Sequence, residues 1–272
     1  MMNERVLIDI DDEGVAEVKL NRADKMNALD SAMFEALLDA QERLRGERNV
    51  RAVVLHGEGR AFCAGLDMSS FAAMAEGGRA RNHPLSQRTH GIANQPQQAA
   101  WGWRELPVPV IAAVHGVAFG GGLQLALGAD MRCVAAETKL SLMEIKWGLI
   151  PDMACFPLLR DVLRGDVLRE LVYTGRIVTG VEAQALGLAT WVGDEPLTRA
   201  RTLARQIAQG NPDAVRAAKR LLNLTTDSTA AEVLLEESRE QDRLIGSPNQ
   251  REAVRAALEK RAPVFAESLQ DN

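Results

Sequence analysis

The stretch that most constrains the fold of this chain is residues 107–127. Its first half, residues 108–114, is apolar and rich in β-branched residues, which is typical of a strand buried on both faces. Three glycines follow at 120–122, and an apolar helical pattern begins directly after them. A strand that passes through glycines into a helix leaves free backbone N–H groups at the helix start, and these favour a negatively charged oxygen. A tight turn without any ligand fits this stretch equally well, and the residues of a P-loop or dinucleotide motif are missing.

A second stretch repeats this arrangement. Residues 52–55 are strand-like, and residues 59–71 then pass through Gly59 and Gly65 into a predicted helix with Asp67 near its start. Two such turns can aim two N–H groups at one oxygen, which is how an oxyanion hole is built. The bound group could be a phosphate or the oxyanion of a polarised thioester carbonyl.

Four motifs, in this order and at this spacing, resemble the enoyl-CoA hydratase/isomerase (crotonase) superfamily. They are Leu20-Asn21-Arg22 with Asn27-Ala28-Leu29, Ala61-Phe62-Cys63-Ala64-Gly65-Leu66-Asp67, Ile111-Ala112-Ala113-Val114-His115-Gly116 with Gly120-Gly121-Gly122, and Glu144 with Gly148-Leu149-Ile150-Pro151. The resemblance covers roughly residues 5–265. It implies an α/β fold in which a crotonase-like spiral of ββα repeats, residues 1–195, carries the CoA site and the active site. A C-terminal helical region, residues 196–272, would then serve trimerisation.

The resemblance also assigns roles in a thioester site. The backbone N–H groups of Leu66 and Gly121 would stabilise the thioester oxygen as it becomes enolate-like. Since the backbone supplies both donors, the Leu66 side chain can differ from the alanine common in hydratases. Glu144 would move the proton at carbon, and its apolar neighbours in the sequence would bring its pKa closer to that task. A solvated glutamate at the end of a strand is the alternative interpretation of Glu144.

The same resemblance implies that CoA is bound as part of the substrate thioester, with no other cofactor and no metal. The backbone at Ala64, Asp67 and Met68 would hold its adenine and pantetheine, and Lys25 would meet a phosphate. Phe265 would pack near the adenine of a neighbouring subunit, in a trimer or a dimer of trimers. A plain C-terminal anchor explains Phe265 equally well.

One position departs from the hydratase pattern. Typical hydratases have a glutamate two residues after the third glycine and another twenty residues later, and here these positions are Gln124 and Glu144. An amide can hold a water or a carbonyl by hydrogen bonds, but it cannot take up a proton. Asp152, eight residues after Glu144, matches an aspartate that dienoyl-CoA isomerases place there, although those enzymes also carry an acid at the position of Gln124. The sequence therefore favours isomerase chemistry over efficient hydration.

Other functions stay open at this level. A thioester hydrolase or a decarboxylase would use the same oxyanion hole with a different polar group beside it. A CoA-ester-binding protein without catalysis is a further alternative, against which Glu144 and Asp152 argue. In the segment 70–104, which corresponds to the variable acyl-pocket part of the family, His83 and His90 are weaker candidates for a base.

Composition limits the partners of the chain. Its net charge is −5 and its pI is about 5.5, with no basic stretch long enough to indicate nucleic-acid binding. Cys63, Cys133 and Cys155 are odd in number and scattered, which favours a reducing cytoplasm without disulfides. No signal peptide and no apolar run of membrane-spanning length are visible.

Secondary-structure patterns divide the chain. Strand patterns lie in the first two thirds, and residues 139–147 alternate like a strand before Gly148. From Pro151 onward the pattern predicts helices almost to the end.

Overall fold

The computed structural model of the chain describes residues 4–76, 84–160 and 162–268, and its centre is a six-stranded sheet with the strand order β1-β2-β3-β4-β6-β9. A second sheet of three strands has the order β5-β7-β8. The strands are β1 Val6–Ile10, β2 Val15–Leu20, β3 Ala52–Gly57, β4 Val110–Val114, β5 Val117–Phe119, β6 Met131–Val134, β7 Lys139–Ser141, β8 Val178–Thr179 and β9 Trp191–Val192.

The large sheet consists of one antiparallel hairpin followed by parallel strand pairs. β1 and β2 pair antiparallel with Ile8 opposite Val18, and every other pairing of the large sheet is parallel. All residues of β3 and β4 are buried, which explains the apolar runs of residues 52–55 and 110–114. The α/β fold class predicted from the sequence is therefore the observed one.

Helices follow the two glycine-rich turns and occupy most of the chain after Pro151, as the sequence predicts. Asp30 caps the first helix by accepting a hydrogen bond from the Met33 N–H, as its position in the sequence indicates. Within the described residues, no helix combines the length and the apolar character needed to cross a bilayer. The helices are α1 Ser31–Gly46, α2 Met68–Ala75, α3 Gln95–Glu105, α4 Gly121–Leu127, α5 Cys155–Leu159, α6 Gly165–Thr174, α7 Gly180–Leu186, α8 Pro196–Ala208, α9 Pro212–Leu224, α10 Ala230–Leu244 and α11 Pro248–Glu259.

A repeat of two strands and a helix runs through the core. β4 in the large sheet leads to β5 in the small sheet and then to α4, and β6 leads likewise to β7 and α5. The same order occurs after β3, where Cys63 forms a single parallel bridge to Ala118 before α2 begins. In each repeat the chain therefore comes back beside the small sheet and then enters a helix.

Apolar packing covers both faces of the large sheet. One face packs with α1, α3 and α4 in the main core, around buried side chains such as Leu37, Trp103 and Leu125. The other face packs against α8 through Ala200, Ala204 and Ala208. α8 is the first helix of the predicted C-terminal region, so this helix contributes to the core. The division at residues 195 and 196 stays a prediction.

Two of the secondary-structure predictions were wrong. The region after Pro151 contains β8 and β9, two-residue strands that are too short to give an alternating pattern. They form because they pair with β7 and β6. The alternating segment 139–147 forms a strand only to Ser141, and Glu144–Trp147 is a 3-10 helix that ends at Gly148 with φ +69°. Glu144 is therefore held by a helical turn and does not end a strand.

We predict that Lys219 is a major anchor of α9. Its buried ammonium donates to the carbonyls of Trp103 and Val108 and to the carboxylate of Asp130, at 3.2, 2.9 and 2.8 Å. Lys219→Met leaves these acceptors without a donor and should lower the free energy of unfolding by about 2–4 kcal/mol, measured by urea denaturation. As a control, Arg45→Met removes an exposed ion pair with Glu42 and should cost less than about 1 kcal/mol. A loss of that small size for Lys219→Met would contradict the prediction.

Candidate active site

A cavity of about 1360 Å³ lies where the ends of these repeats meet. It is lined by every site residue that the sequence predicts except Phe265, and by Gln124 as well. The lining residues come from α1 to α4, from the 3-10 helices Ala23–Lys25 and Glu144–Trp147, and from turns and segments next to them. The predicted residues are Lys25, Ala64, Leu66, Asp67, Met68, Gly121, Glu144 and Asp152.

The two predicted turns, residues 64–66 and residues 120–122, lie side by side. A Cβ built on Gly65 would lie 3.6 Å from the Gly121 nitrogen and 2.5 Å from the Phe119 oxygen. Gly65 has φ +86°, which a side chain would strain, so both space and backbone conformation require glycine there. The glycine-rich turn 120–122, for which the sequence also allowed a turn without any ligand, forms part of the cavity wall.

The N–H groups of Leu66 and Gly121 have no acceptor among the backbone hydrogen bonds of the described residues. At Leu66, the neighbouring bonds run from Leu29 N–H to the Gly65 oxygen and from Asp67 N–H to the Leu29 oxygen. In a parallel bridge this leaves the N–H of the residue between them pointing away from the partner strand. Gly121 is the first residue of α4, where a helical N–H has no intrahelical acceptor. Both donors are thus available at the cavity.

The third glycine has a packing role. A Cβ on Gly122 would lie 2.3 Å from the Cys63 oxygen, which is closer than any side chain permits. A Cβ on Gly121 would meet the sulfur of Met153 at 2.7 Å and a methyl of Leu29 at 3.0 Å. A side chain at position 121 would therefore crowd Met153 and Leu29, which line the cavity.

Glu144 lies beside the 120–122 turn with its carboxyl largely out of water. Its Oε1 would be 3.2 Å from a Cβ on Gly120. Burial raises the pKa of the Glu144 carboxyl, hydrogen bonds from its own backbone and from Gln124 oppose the rise, and the charge of Asp152 adds to it. Its Oε2 is buried and has no hydrogen-bond partner among the described residues. A carboxyl in this setting is a candidate for proton transfer.

Gln124 contacts Glu144 directly. It is 1% exposed, and its Nε2 donates to Glu144 Oε1 at 2.6 Å. Its own Oε1 accepts from the Met153 N–H at 2.8 Å. The position that departs from the hydratase pattern is therefore a neutral donor in contact with the carboxyl, which the sequence did not indicate.

An ion pair holds the 64–66 turn in place. Arg22, half-buried, donates to Asp67 and to the carbonyl of Ala28. Hydrogen bonds from the side chain and backbone of Ser69, together with Arg22, lower the pKa of Asp67 to about 2. Asp67 caps α2 through the Ser69 N–H. The side chain of Asp67 thus has a structural task, and its predicted role in CoA binding concerns the backbone alone.

Exposed side chains surround the cavity mouth. Met68 is 63% exposed, and the rings of Phe71 and Trp147 stack with their centroids 4.3 Å apart. Lys25 is exposed at the end of the 3-10 helix Ala23–Lys25, with no ionic partner within the described residues. Its ammonium is available to an anionic ligand.

Some candidates lie elsewhere. Phe265 does not line the cavity of this chain, and its carbonyl accepts a hydrogen bond from Arg51. His90 bonds to Thr89 away from the cavity, and His83 lies outside the described residues. In residues 4–76, 84–160 and 162–268, no group of three His, Cys, Asp or Glu side chains could hold a metal ion.

Sequence analysis missed the parts of the site that act through other residues. Arg22 belongs to the first family motif. Its only sequence signal was that this arginine, upstream of Asp67, had no role assigned to it. Met153 gave no signal, because it contributes a backbone N–H that any residue but proline would supply.

The chain is similar to known proteins over nearly its whole length. The sequence profile of the family described as Enoyl-CoA hydratase/isomerase matches residues 11–268. The chain is 34% identical to enoyl-CoA hydratase domain-containing protein 2, mitochondrial, of Homo sapiens, with 93% of this chain and 86% of that protein covered. It is 31% identical to methylglutaconyl-CoA hydratase, mitochondrial, of Mus musculus, with 95% of this chain and 81% of that protein covered.

Solved structures extend the likeness to three dimensions. The crystal structure of an enoyl-CoA hydratase from Bacillus anthracis superposes with a TM-score of 0.85 at 29% sequence identity, and the match covers 96% of this chain and 98% of that one. The fold predicted from the sequence motifs is thereby confirmed.

We predict that Glu144 lowers stability at neutral pH. Because its pKa is raised on folding, its contribution to stability is fully present below the ordinary value of 4.5 and is lost as pH rises through the folded pKa. Glu144→Gln should therefore raise the melting temperature at pH 8 by roughly 2–4 °C, equivalent to about 1 kcal/mol, and by much less near pH 4.5. Exposed Glu137 is the control, and Glu137→Gln should change neither value. An equal shift for Glu144→Gln at both pH values would show that ionisation is not the cause.

Proposed function

Because this chain belongs to the enoyl-CoA hydratase/isomerase family, we propose that it moves a proton between carbons of an enoyl-CoA thioester, with Glu144 as the acid–base residue. That it is a crotonase-family enzyme of acyl-CoA metabolism follows from the family. The reaction type and the residues that perform it are our proposal.

The observation that carries the proposal is the carboxyl of Glu144, which is largely out of water and has a raised pKa, beside two N–H groups that have no backbone acceptor. Leu66 and Gly121 supply these donors from adjacent turns of one cavity. A thioester oxygen placed between them would be stabilised as negative charge develops, by a few kcal/mol for each donor. We propose that both N–H groups point at one common position and that Glu144 faces the acyl carbons from the other side.

The proposed reaction has two proton transfers. Glu144 accepts a proton from the carbon next to the thioester, and the electron pair of that C–H bond moves onto the thioester oxygen to give an enolate. The enolate then reforms the carbonyl and takes the proton back at the carbon two positions further along. No other reactant is consumed, and the double bond has shifted. Asp152, whose charge raises the pKa of Glu144, keeps the carboxyl closer to its protonated form between the two steps.

The environment of Gln124 supports isomerisation over hydration. Hydration needs a water that one group activates while another returns a proton, and the amide of Gln124 can do neither proton transfer. The 2.6 Å contact between Gln124 and Glu144 is also too short to admit a water between them. A panel of 2-enoyl-CoA and 3-enoyl-CoA substrates given to the pure protein separates the two reactions, and thioester hydrolysis or decarboxylation would be detected in the same panel.

The CoA-binding roles are part of the proposal. Ala64, Met68 and Lys25 lie along the cavity, and the exposed ammonium of Lys25 can meet a phosphate. Phe265 would act in a neighbouring subunit, which requires the predicted trimer or dimer of trimers. Self-association and the cytoplasmic location stay predictions.

We predict that Glu144→Gln lowers turnover by roughly 10²–10³-fold, because it removes the proton carrier. Binding of the CoA ester, measured by calorimetry on the same preparation, should persist, since no contact to CoA is removed. Glu137→Gln, which keeps the exposed surface similar, should retain wild-type kinetics. Unchanged turnover in Glu144→Gln would remove Glu144 from the mechanism.

We predict that Gln124→Glu raises the hydration of a short 2-enoyl-CoA by roughly tenfold or more. Two carboxylates at this distance cannot both be ionised in contact, so they must share a proton or hold a water between them. The measurement is the loss of the enoyl-thioester absorbance of crotonyl-CoA for both proteins. Hydration by the wild-type protein near the diffusion limit of about 10⁸ M⁻¹s⁻¹ would contradict the idea that Gln124 limits this reaction.

A further inference from the structure

The hydrogen bonds of Gln124 determine the orientation of its amide as well as its distance from Glu144. Gln124 lies on α4, and both ends of its amide are engaged, by the Met153 N–H on one side and by Glu144 Oε1 on the other. A backbone N–H can only donate, so the amide oxygen must face Met153 and the NH₂ group must face Glu144. A flipped amide would lose both hydrogen bonds and place two acceptors against each other. Gln124 can therefore offer Glu144 nothing but a donor.

This donor makes the two carboxyl oxygens of Glu144 unequal. Oε1 is satisfied by Gln124, whereas Oε2 is buried and without a hydrogen-bond partner among the described residues. An oxygen that already accepts a hydrogen bond is the poorer proton acceptor of the two. The unpartnered oxygen is the one whose desolvation a proton relieves.

We propose that Gln124 is a positioning residue, which holds Oε1 of Glu144 so that Oε2 is the oxygen that takes up and returns the substrate proton. This inference rests on the proposed function of Glu144 as the acid–base residue. It gives the amide at position 124 a task in place of a second acid.

The same contact keeps Glu144 in its working protonation state. Burial raises the pKa of its carboxyl, and a base that is already protonated cannot accept a proton from substrate. The N–H of Gln124 stabilises the anion and opposes this effect. Removal of the donor should both free the carboxyl to rotate and leave less of it ionised.

Gln124→Met is the direct test, because methionine keeps the length of the side chain and removes the donor. We expect kcat on a 3-enoyl-CoA to fall roughly 10-fold or more, with a change in KM of less than about 3-fold. The acid limb of the pH profile of kcat should move to higher pH. A second buried glutamine provides the control: Gln41 is 2% exposed and donates to the carbonyl of Ala99 away from the cavity. Gln41→Met should lower stability without moving the pH profile.

A measurement without substrate separates this inference from the proposed function. In protein labelled with ¹³C at the side-chain carboxyl of glutamate, the signal of Glu144 is the one absent from Glu144→Gln. Its titration midpoint should lie at higher pH in Gln124→Met than in the wild-type protein, and should be unchanged in Gln41→Met. If Gln124→Met does not fold, Gln124→Glu preserves the shape and replaces the donor by a group that must share a proton, so its midpoint should rise as well.

The outcomes are distinct. A shifted midpoint in a protein that is inactive on every thioester would support the hydrogen bond from Gln124 to Glu144 but overturn the proposed function, and with it the role of Oε2 as proton carrier. An active protein in which the midpoint and the pH profile both stay unchanged on loss of the Gln124 donor would overturn the positioning.

Discussion

The structure depends on the close approach of two strand-to-helix turns. The Cα of Gly122 lies so near the Cys63 carbonyl that a Cβ would be 2.3 Å from its oxygen, and Gly65 lies equally near the Phe119 carbonyl. A backbone can approach a carbonyl this closely only where the approaching residue has no side chain. The parallel bridge between Cys63 and Ala118 aligns the turns, so that N–H groups far apart in sequence become neighbours. Both turns, with the start of α4, line the cavity.

The site combines uncharged hydrogen-bond donors with one carboxyl whose ionised form is disfavoured by burial. The backbone N–H groups of Leu66 and Gly121 carry no net charge. Leaving them without a hydrogen-bond partner therefore costs less free energy than burying an ion. The carboxyl of Glu144 is in the opposite situation, because burial raises its pKa and leaves Oε2 without a partner. Asp67 lies near the same cavity, yet its hydrogen bonds and Arg22 keep it ionised with a pKa of about 2. Environment thus gives two carboxyls of one site different tasks.

Gln124 departs from the hydratase pattern, and in the fold it makes a specific contact with Glu144. Considered alone, the amide removes an acid and suggests weaker chemistry. In the fold, its orientation is set by the Met153 N–H, and its NH₂ group is directed at Glu144. A side chain that cannot transfer a proton can still decide which oxygen of its neighbour does so.

The sequence by itself determined the buried strands, the helix starts and the glycine-rich turns, because strands, caps and glycines leave local patterns, and the resemblance of its motifs to the family implied the fold and its ββα repeats. It also selected the residues that line the cavity, since their motifs follow one another at fixed spacing. It did not determine β8 and β9, which are too short to carry a pattern and form only through pairing with β7 and β6. Nor did it show that Glu144 lies in a 3-10 helix, that Arg22 pairs with Asp67, or that Gln124 touches Glu144. The last two depend on contacts across 20 or more residues, and only packing brings such residues together.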